Sequence, residues 1–71
     1  MSTEITAPMS GKIAEILCKL GDQVKFEDEL LILEALKMEN PIYAPVDGKI
    51  TELKIAAGAM VEANQVLLII D

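Results

Sequence analysis

Adding 37 to a position in the first half of this chain repeatedly lands on the same residue in the second half, with no gap required. Ile5 maps onto Ile42, Ala7-Pro8 onto Ala44-Pro45, and Gly11-Lys12-Ile13 onto Gly48-Lys49-Ile50. Glu15 maps onto Glu52, Gly21 onto Gly58, Val24 onto Val61, and Leu30-Leu31-Ile32 onto Leu67-Leu68-Ile69. A unit this short cannot bury its own apolar face, so the copies at 5–34 and 42–71 must pack against each other. The expected arrangement is a single domain over residues 1–71 with a pseudo-twofold axis.

Short runs of Ile, Leu and Val are punctuated by turn signals at Ala7-Pro8, Ser10-Gly11, Gly21-Asp22, Asn40-Pro41, Ala44-Pro45, Asp47-Gly48 and Gly58. This pattern predicts an all-β chain. The expected strands are Glu4–Ala7, Gly11–Cys18, Leu30–Glu34, Asn40–Ala44, Gly48–Ile55 and Val66–Ile70, with lesser extended pieces at Gln23–Val24 and Met60–Val61. About eight strands, four per copy, would close into a flattened antiparallel barrel or sandwich. Positions that stay apolar in both copies, such as Ile16 with Leu53 and Cys18 with Ile55, belong to the core face. Glu15 and Leu17, matching Glu52 and Lys54, belong to the opposite one. Alternation fails around Ile13-Ala14 and Ile50-Thr51, which is the mark a β-bulge leaves.

Helix propensity competes with this reading over 26–40, where Glu, Leu, Ala, Lys and Met are good helix formers. The equivalence of Leu30–Glu34 with Leu67–Asp71, and four adjacent aliphatic residues with no polar face, favour strand.

At 71 residues the chain is near the lower size limit for a core without staples. Its apolar content of 52% is the compensation, supplied by branched aliphatics because Phe26 and Tyr43 are the only aromatics. Cys18 has no partner for a disulfide, and its isoleucine counterpart marks it as a small core hydrophobe. Histidine is absent, which removes the commonest general base and the usual zinc ligands. A formal charge of −6 argues against nucleic acid as a partner, since phosphate contacts need a surplus of Lys and Arg. The longest apolar run, Val66–Ile70, is far below the roughly 20 residues of a membrane span, and no charged-then-apolar leader opens the sequence. A cytoplasmic location is the corresponding expectation.

Between the copies lies Glu34-Ala35-Leu36-Lys37-Met38-Glu39. If the flanking strands form a hairpin, the connection is drawn from Ala35, Leu36, Lys37, Met38 and Glu39, none of which is a turn former. Tight hairpins favour Asn-Gly or Asp-Gly because their central positions need φ > 0. A local rule broken at one place in an otherwise consistent sequence points to a functional constraint there. Lys37 is the candidate working residue, and its apolar neighbours read as recognition surface. Glu34 and Glu39 lack the histidine, nucleophile or pocket that acid–base catalysis would need and are assigned to orienting the turn or docking.

The stretch Glu34-Ala35-Leu36-Lys37-Met38 resembles the Ala-Met-Lys-Met signature of biotinyl domains, the biotin carboxyl carrier family. Ala7-Pro8-Met9-Ser10-Gly11-Lys12-Ile13 and Gly21-Asp22-Gln23-Val24 are similar to that family's first half. Glu39-Asn40-Pro41-Ile42 and Ala44-Pro45-Val46-Asp47-Gly48-Lys49-Ile50 are similar to its second. The resemblance implies a quasi-twofold flattened barrel with the modified lysine at a hairpin tip remote from both termini. It further implies covalent biotin on Lys37, with Glu34, Ala35, Leu36 and Met38 recognised by a biotin protein ligase. Leu36 departs from the usual methionine but keeps apolar character and volume. Gly11 to Gly21 matches Gly48 to Gly58 without an insertion, so the chain looks like the thumbless carriers rather than those with a protruding thumb.

The resemblance implies a non-catalytic carrier that shuttles an activated carboxyl group between biotin carboxylase and carboxyltransferase, or decarboxylase, partners. A solvent-exposed lysine amine, with a reference pKa of about 10.4, is protonated near neutral pH, so a ligase must supply both activation and deprotonation. Tethering then keeps the cargo at high effective concentration near both sites. Two alternatives stand beside this reading. A lipoyl domain shares the fold, but usually has Asp before its lysine and Ala or Val after it, where this chain has Leu36 and Met38. An unmodified interaction module would keep its activity after Lys37→Arg.

Overall fold

The computed structural model describes residues 2–71 as eight strands. They are β1 (Thr3–Thr6), β2 (Gly11–Ile16), β3 (Gln23–Val24), β4 (Glu29–Ala35), β5 (Met38–Tyr43), β6 (Gly48–Leu53), β7 (Met60–Val61) and β8 (Val66–Ile70). Two antiparallel four-stranded sheets result, ordered β1-β8-β6-β3 and β5-β4-β2-β7. A shift of 37 residues exchanges β1 with β5, β8 with β4, β6 with β2 and β3 with β7, and so turns one sheet into the other. Each sheet therefore mixes strands from both copies. Neither copy could complete a four-stranded sheet alone, which is the physical reason the duplication makes one domain.

Backbone hydrogen bonds outside the ladders obey the same operation. Ala7 N–H donates to Gln65 O at 2.9 Å, and Ala44 N–H donates to Asp28 O at 2.8 Å. Asn64 N–H to Ala7 O and Glu27 N–H to Ala44 O are both 2.7 Å. Gly21 and Gly58, each at φ +90°, donate to Ile50 O and Ile13 O at 2.8 and 2.7 Å. These glycines occupy the third position of turns closed by Asp22 N–H to Lys19 O and Ala59 N–H to Ala56 O, where a side chain would be strained.

The core is built from equivalent pairs: Ala7 and Ala44, Ile13 and Ile50, Val24 and Val61, Leu30 and Leu67, Leu31 and Leu68, Leu33 and Ile70 are all buried. Ile16, Leu53 and Ile55 pack against them at its margin. No polar or charged side chain is buried among the described residues. Full burial of each large aliphatic contributes about 1.5–3 kcal/mol, which is how so small a chain offsets its conformational entropy.

Both expected bulges are present. Register shifts fall between Ile13 and Glu15 on β2 and between Ile50 and Glu52 on β6, leaving Ala14 and Thr51 as the extra, exposed residues. With one residue inserted, the inward positions Ile13 and Ile16 are three apart rather than two.

The strand expected at Asn40–Ala44 is present within β5, and the turn signal of Asn40-Pro41 falls inside it, where Pro41 pairs opposite Ile32. β5 is an edge strand, the one setting in a sheet where a missing N–H is tolerated. β2 and β6 end at Ile16 and Leu53, so Cys18 and Ile55 lie beyond the strands, although Cys18 is still only 6% exposed.

Burial, together with the charge of Asp22, pushes the Cys18 thiol above its ordinary range, against a smaller lowering by a backbone hydrogen bond. A raised native value means that the unfolded chain loses the thiol proton first as pH rises. The associated stability is full below the unfolded value of about 8.5 and is lost as pH climbs through the native value. Native protein at pH 8 should therefore react with a thiol reagent at least tenfold more slowly than protein in denaturant. Equal rates would place Cys18 outside the core.

Candidate functional site

From Leu31 onward the hairpin β4–β5 is paired without interruption to its end: Leu33 faces Asn40, Glu34 faces Glu39, and Ala35 faces Met38. The connection is thus two residues, Leu36 and Lys37, and not the five from Ala35 to Glu39. Both are left-handed, at φ 54° and 63°. That geometry is the type I′ turn, whose twist matches the strands and whose preferred sequence is Asn-Gly. Side chains with a Cβ cost about 1–2 kcal/mol per residue there. The rest of the hairpin over-determines the conformation.

Support comes from β2 as well. Lys12 pairs with Glu34, and Gly11 lies so close that a Cβ on it would meet the Glu34 carbonyl oxygen at 2.5 Å and the Ala35 Cβ at 3.1 Å. Only glycine permits that approach. Asn40 adds long hydrogen bonds from Nδ2 to the carbonyls of Met38, at 3.4 Å, and Leu33, at 3.5 Å. That Gly11 and Asn40 support this turn is not legible in the sequence, because nothing there says that β2 adjoins β4.

Above this base the tip is bare. Leu36 is 86% exposed and Met38 is 64% exposed, the reverse of what burial would do with such side chains. Lys37 is exposed between them, and no hydrogen bond or ion pair engages its amine among the described residues. Glu34 is also exposed, with Glu39 and Lys12 as its cross-strand neighbours. Ala35 is the exception within the expected recognition set. It is 7% exposed and packs beneath the turn, so its role is to hold the tip rather than to be read directly.

The pseudo-twofold operation carries this hairpin onto the pairing of β8 with β1, where Ile70 faces Thr3 as Leu33 faces Asn40. The tip therefore lies on a different sheet from β1 and β8. Among the described residues there is no cavity to enclose a substrate and no group of three metal-ligating side chains. What the hairpin can do chemically is present one amine, flanked by two apolar side chains, to another molecule.

Residues 3–70 match the family described as "Biotin-requiring enzyme". The chain belongs to this family. Among the relatives of this biotin-requiring family member, the gamma subunit of glutaconyl-CoA decarboxylase from Acidaminococcus fermentans is 54% identical over 41 residues, covering 58% of this chain and 28% of that protein. The 1.3S subunit of methylmalonyl-CoA carboxyltransferase from Propionibacterium freudenreichii subsp. shermanii is 53% identical over 36 residues, covering 51% of this chain and 29% of that protein. The urea carboxylase of Kluyveromyces lactis superposes over 100% of this chain and 6% of its own, with a TM-score of 0.92 and 27% identity. The matches thus span less than a third of each relative's length.

Proposed function

We propose that this chain is a biotinyl domain of the thumbless type, a non-catalytic carrier that holds biotin in amide linkage on Lys37. The observation that carries the proposal is the exposed amine at the apex of a two-residue turn whose left-handed backbone disfavours the residues found there, in a chain of the biotin-requiring family. Relatives named as decarboxylase and carboxyltransferase subunits, and as a biotin carboxyl carrier protein, favour biotin over lipoate. The equal spacing of Gly11–Gly21 and Gly48–Gly58, with no insertion, supports the thumbless assignment.

The residues present fit the group. Nζ of Lys37 is open to solvent and unengaged, so it can attack the activated carboxyl of biotin delivered by a biotin protein ligase, with AMP leaving and the amine proton passing to the ligase. Leu36 and Met38 offer the ligase apolar contacts, Glu34 offers a charge, and Ala35 fixes the turn from below. Once attached, biotin supplies a ureido nitrogen that accepts a carboxyl group at one active site and yields it at another. The contribution of the chain is positional: rigid paired strands end within one residue of the amine, so the arm projects clear of the sheets. Tethering keeps the cargo near both a biotin carboxylase and a carboxyltransferase or decarboxylase component. A cytoplasmic setting belongs to the same reading.

Two parallel incubations test it: one with biotin, ATP and a biotin protein ligase, the other with lipoate, ATP and a lipoate ligase, each followed by intact mass. A gain of one biotinyl group and no lipoyl group is expected. The converse result would make this a lipoyl domain.

A further inference from the structure

Although the two copies share their backbone, they differ in side chains at equivalent turns, one pair of which is clasped to the base of the β4–β5 hairpin. The turn Phe26-Glu27-Asp28-Glu29 corresponds to Ala63-Asn64-Gln65-Val66. Their backbones are the same: Asp28 N–H bonds Lys25 O at 2.9 Å and Gln65 N–H bonds Glu62 O at 3.1 Å, with φ 71° at Glu27 and 70° at Asn64. Even the cap is repeated, since Phe26 N–H donates to Asp47 Oδ1 at 2.7 Å and Ala63 N–H to Ser10 Oγ at 3.4 Å. The fold is therefore satisfied by small, uncharged residues. It does not require an aromatic ring and three consecutive acids.

The neighbouring segment departs from symmetry in the same sense. Tyr43 corresponds to Thr6, Val46 to the half-buried Met9, and Asp47 to Ser10. The turn and this segment are clasped by the bonds of Glu27 N–H to Ala44 O, Ala44 N–H to Asp28 O and Phe26 N–H to Asp47, while Tyr43 pairs with Glu29. Phe26 is 61% exposed, Tyr43 is 49% exposed, and Val46 is exposed as well. Glu27, Asp28, Glu29 and Asp47 are exposed around them. One copy thus brings exposed Phe26, Tyr43 and Val46 to this end among four acids and one lysine, Lys25, where the other copy has Ala63, Thr6 and half-buried Met9.

We propose that this face, at the base of the β4–β5 hairpin, docks the enzyme component that receives the arm, through a partner surface with an apolar centre and a Lys/Arg rim. This inference rests on the carrier reading given above. Charge complementarity selects the occupant: a second copy would bring another −6 and the same acids, and an anionic lipid surface would be repelled. Position suits the role, because Tyr43 is five residues along β5 from Met38, about 17 Å from the tip. A partner can hold the domain here while Lys37 remains free to reach its active site.

The test uses the complete chain and, as probes, purified biotin carboxylase and carboxyltransferase components of a biotin-dependent enzyme. Phe26→Ala with Tyr43→Thr, and separately Glu27→Asn, install the residues that the same backbone already accepts in the other copy, so these variants retain the fold. Binding of at least one component should weaken tenfold or more in the double variant. Glu27→Asn should weaken it less and flatten its salt dependence. Lys37→Arg should bind as wild type does, and ligase loading of both face variants should be unchanged. If neither component binds unmodified wild type, if the face variants bind as well as wild type, or if they abolish a self-association of this chain, the proposal is overturned. Failure of the ligase to load wild type, with face-dependent binding intact, would reject the biotin reading and leave the docking face standing.

Discussion

Lys37→Arg is expected to abolish biotin loading outright while moving Tm by less than about 2 °C. An arginine guanidinium stays protonated at any working pH and offers no lone pair for attack, so nucleophilicity is lost while charge and length remain. The fold should not respond, because the side chain is exposed and unengaged and the two residues share backbone preferences. A companion variant separates chemistry from structure. Replacing Leu36-Lys37 by Asn-Gly should raise stability by roughly 1–2 kcal/mol, since both left-handed positions would then hold residues that favour them. In a domain of this size each kcal/mol corresponds to about 4–8 °C in Tm. A more stable protein that cannot be loaded would show that the natural turn gives up stability to present its amine. Loss of stability in the Asn-Gly variant would contradict the two-residue hairpin.

The other large effect is expected at Gly11. Gly11→Val should cost about 2–3 kcal/mol, because its Cβ would sit 2.5 Å from the Glu34 carbonyl oxygen, a backbone atom that cannot rotate aside. β2 must then retreat or the end of β4 must swing away, and the end of β4 carries the tip. Ligase kcat/KM should consequently fall about tenfold, the equivalent of roughly 1.4 kcal/mol. Gly48 provides the control. Its Cβ would meet Ile70 Cγ2 at 2.6 Å and Asp71 O at 3.0 Å, so Gly48→Val should lower stability comparably. The disturbance there falls on the terminal strands, and loading should stay as in wild type. Denaturant unfolding and initial loading rates of the two variants check this; equal loading would mean that the tip does not depend on its neighbour on β2.

Much of the fold is legible in the sequence because the duplication supplies two readings of every position. The burial of Cys18 follows from comparing residues 37 apart, the eight strands follow from apolar runs between turn signals, and failed alternation marks where the bulges at Ala14 and Thr51 fall. Which strands share a sheet does not follow, since residue identity at equivalent positions is the same whether the copies exchange strands or stack intact. Asn40-Pro41 carries two signals at once, a turn pair within an expected strand, and the edge position of β5 is what lets the strand prevail. At the site, the absence of turn formers locates the hairpin, while its length depends on how far the register of Glu34 with Glu39 and Ala35 with Met38 continues. Tertiary support from Gly11 and β2 decides that, and it lies more than twenty residues away in the chain. Ala35 reads as part of a displayed motif but is held inward by the same contact.

Site mapping tests the central claim most directly. The chain has six lysines and no arginine, namely Lys12, Lys19, Lys25, Lys37, Lys49 and Lys54, all exposed. After incubation with biotin, ATP and a biotin protein ligase, fragmentation mass spectrometry should find a single biotinyl group, on Lys37, with the other five lysines unmodified. A protein that stays unmodified, or one modified equally at Lys12 or Lys49, would show that the strained turn does not single out its amine.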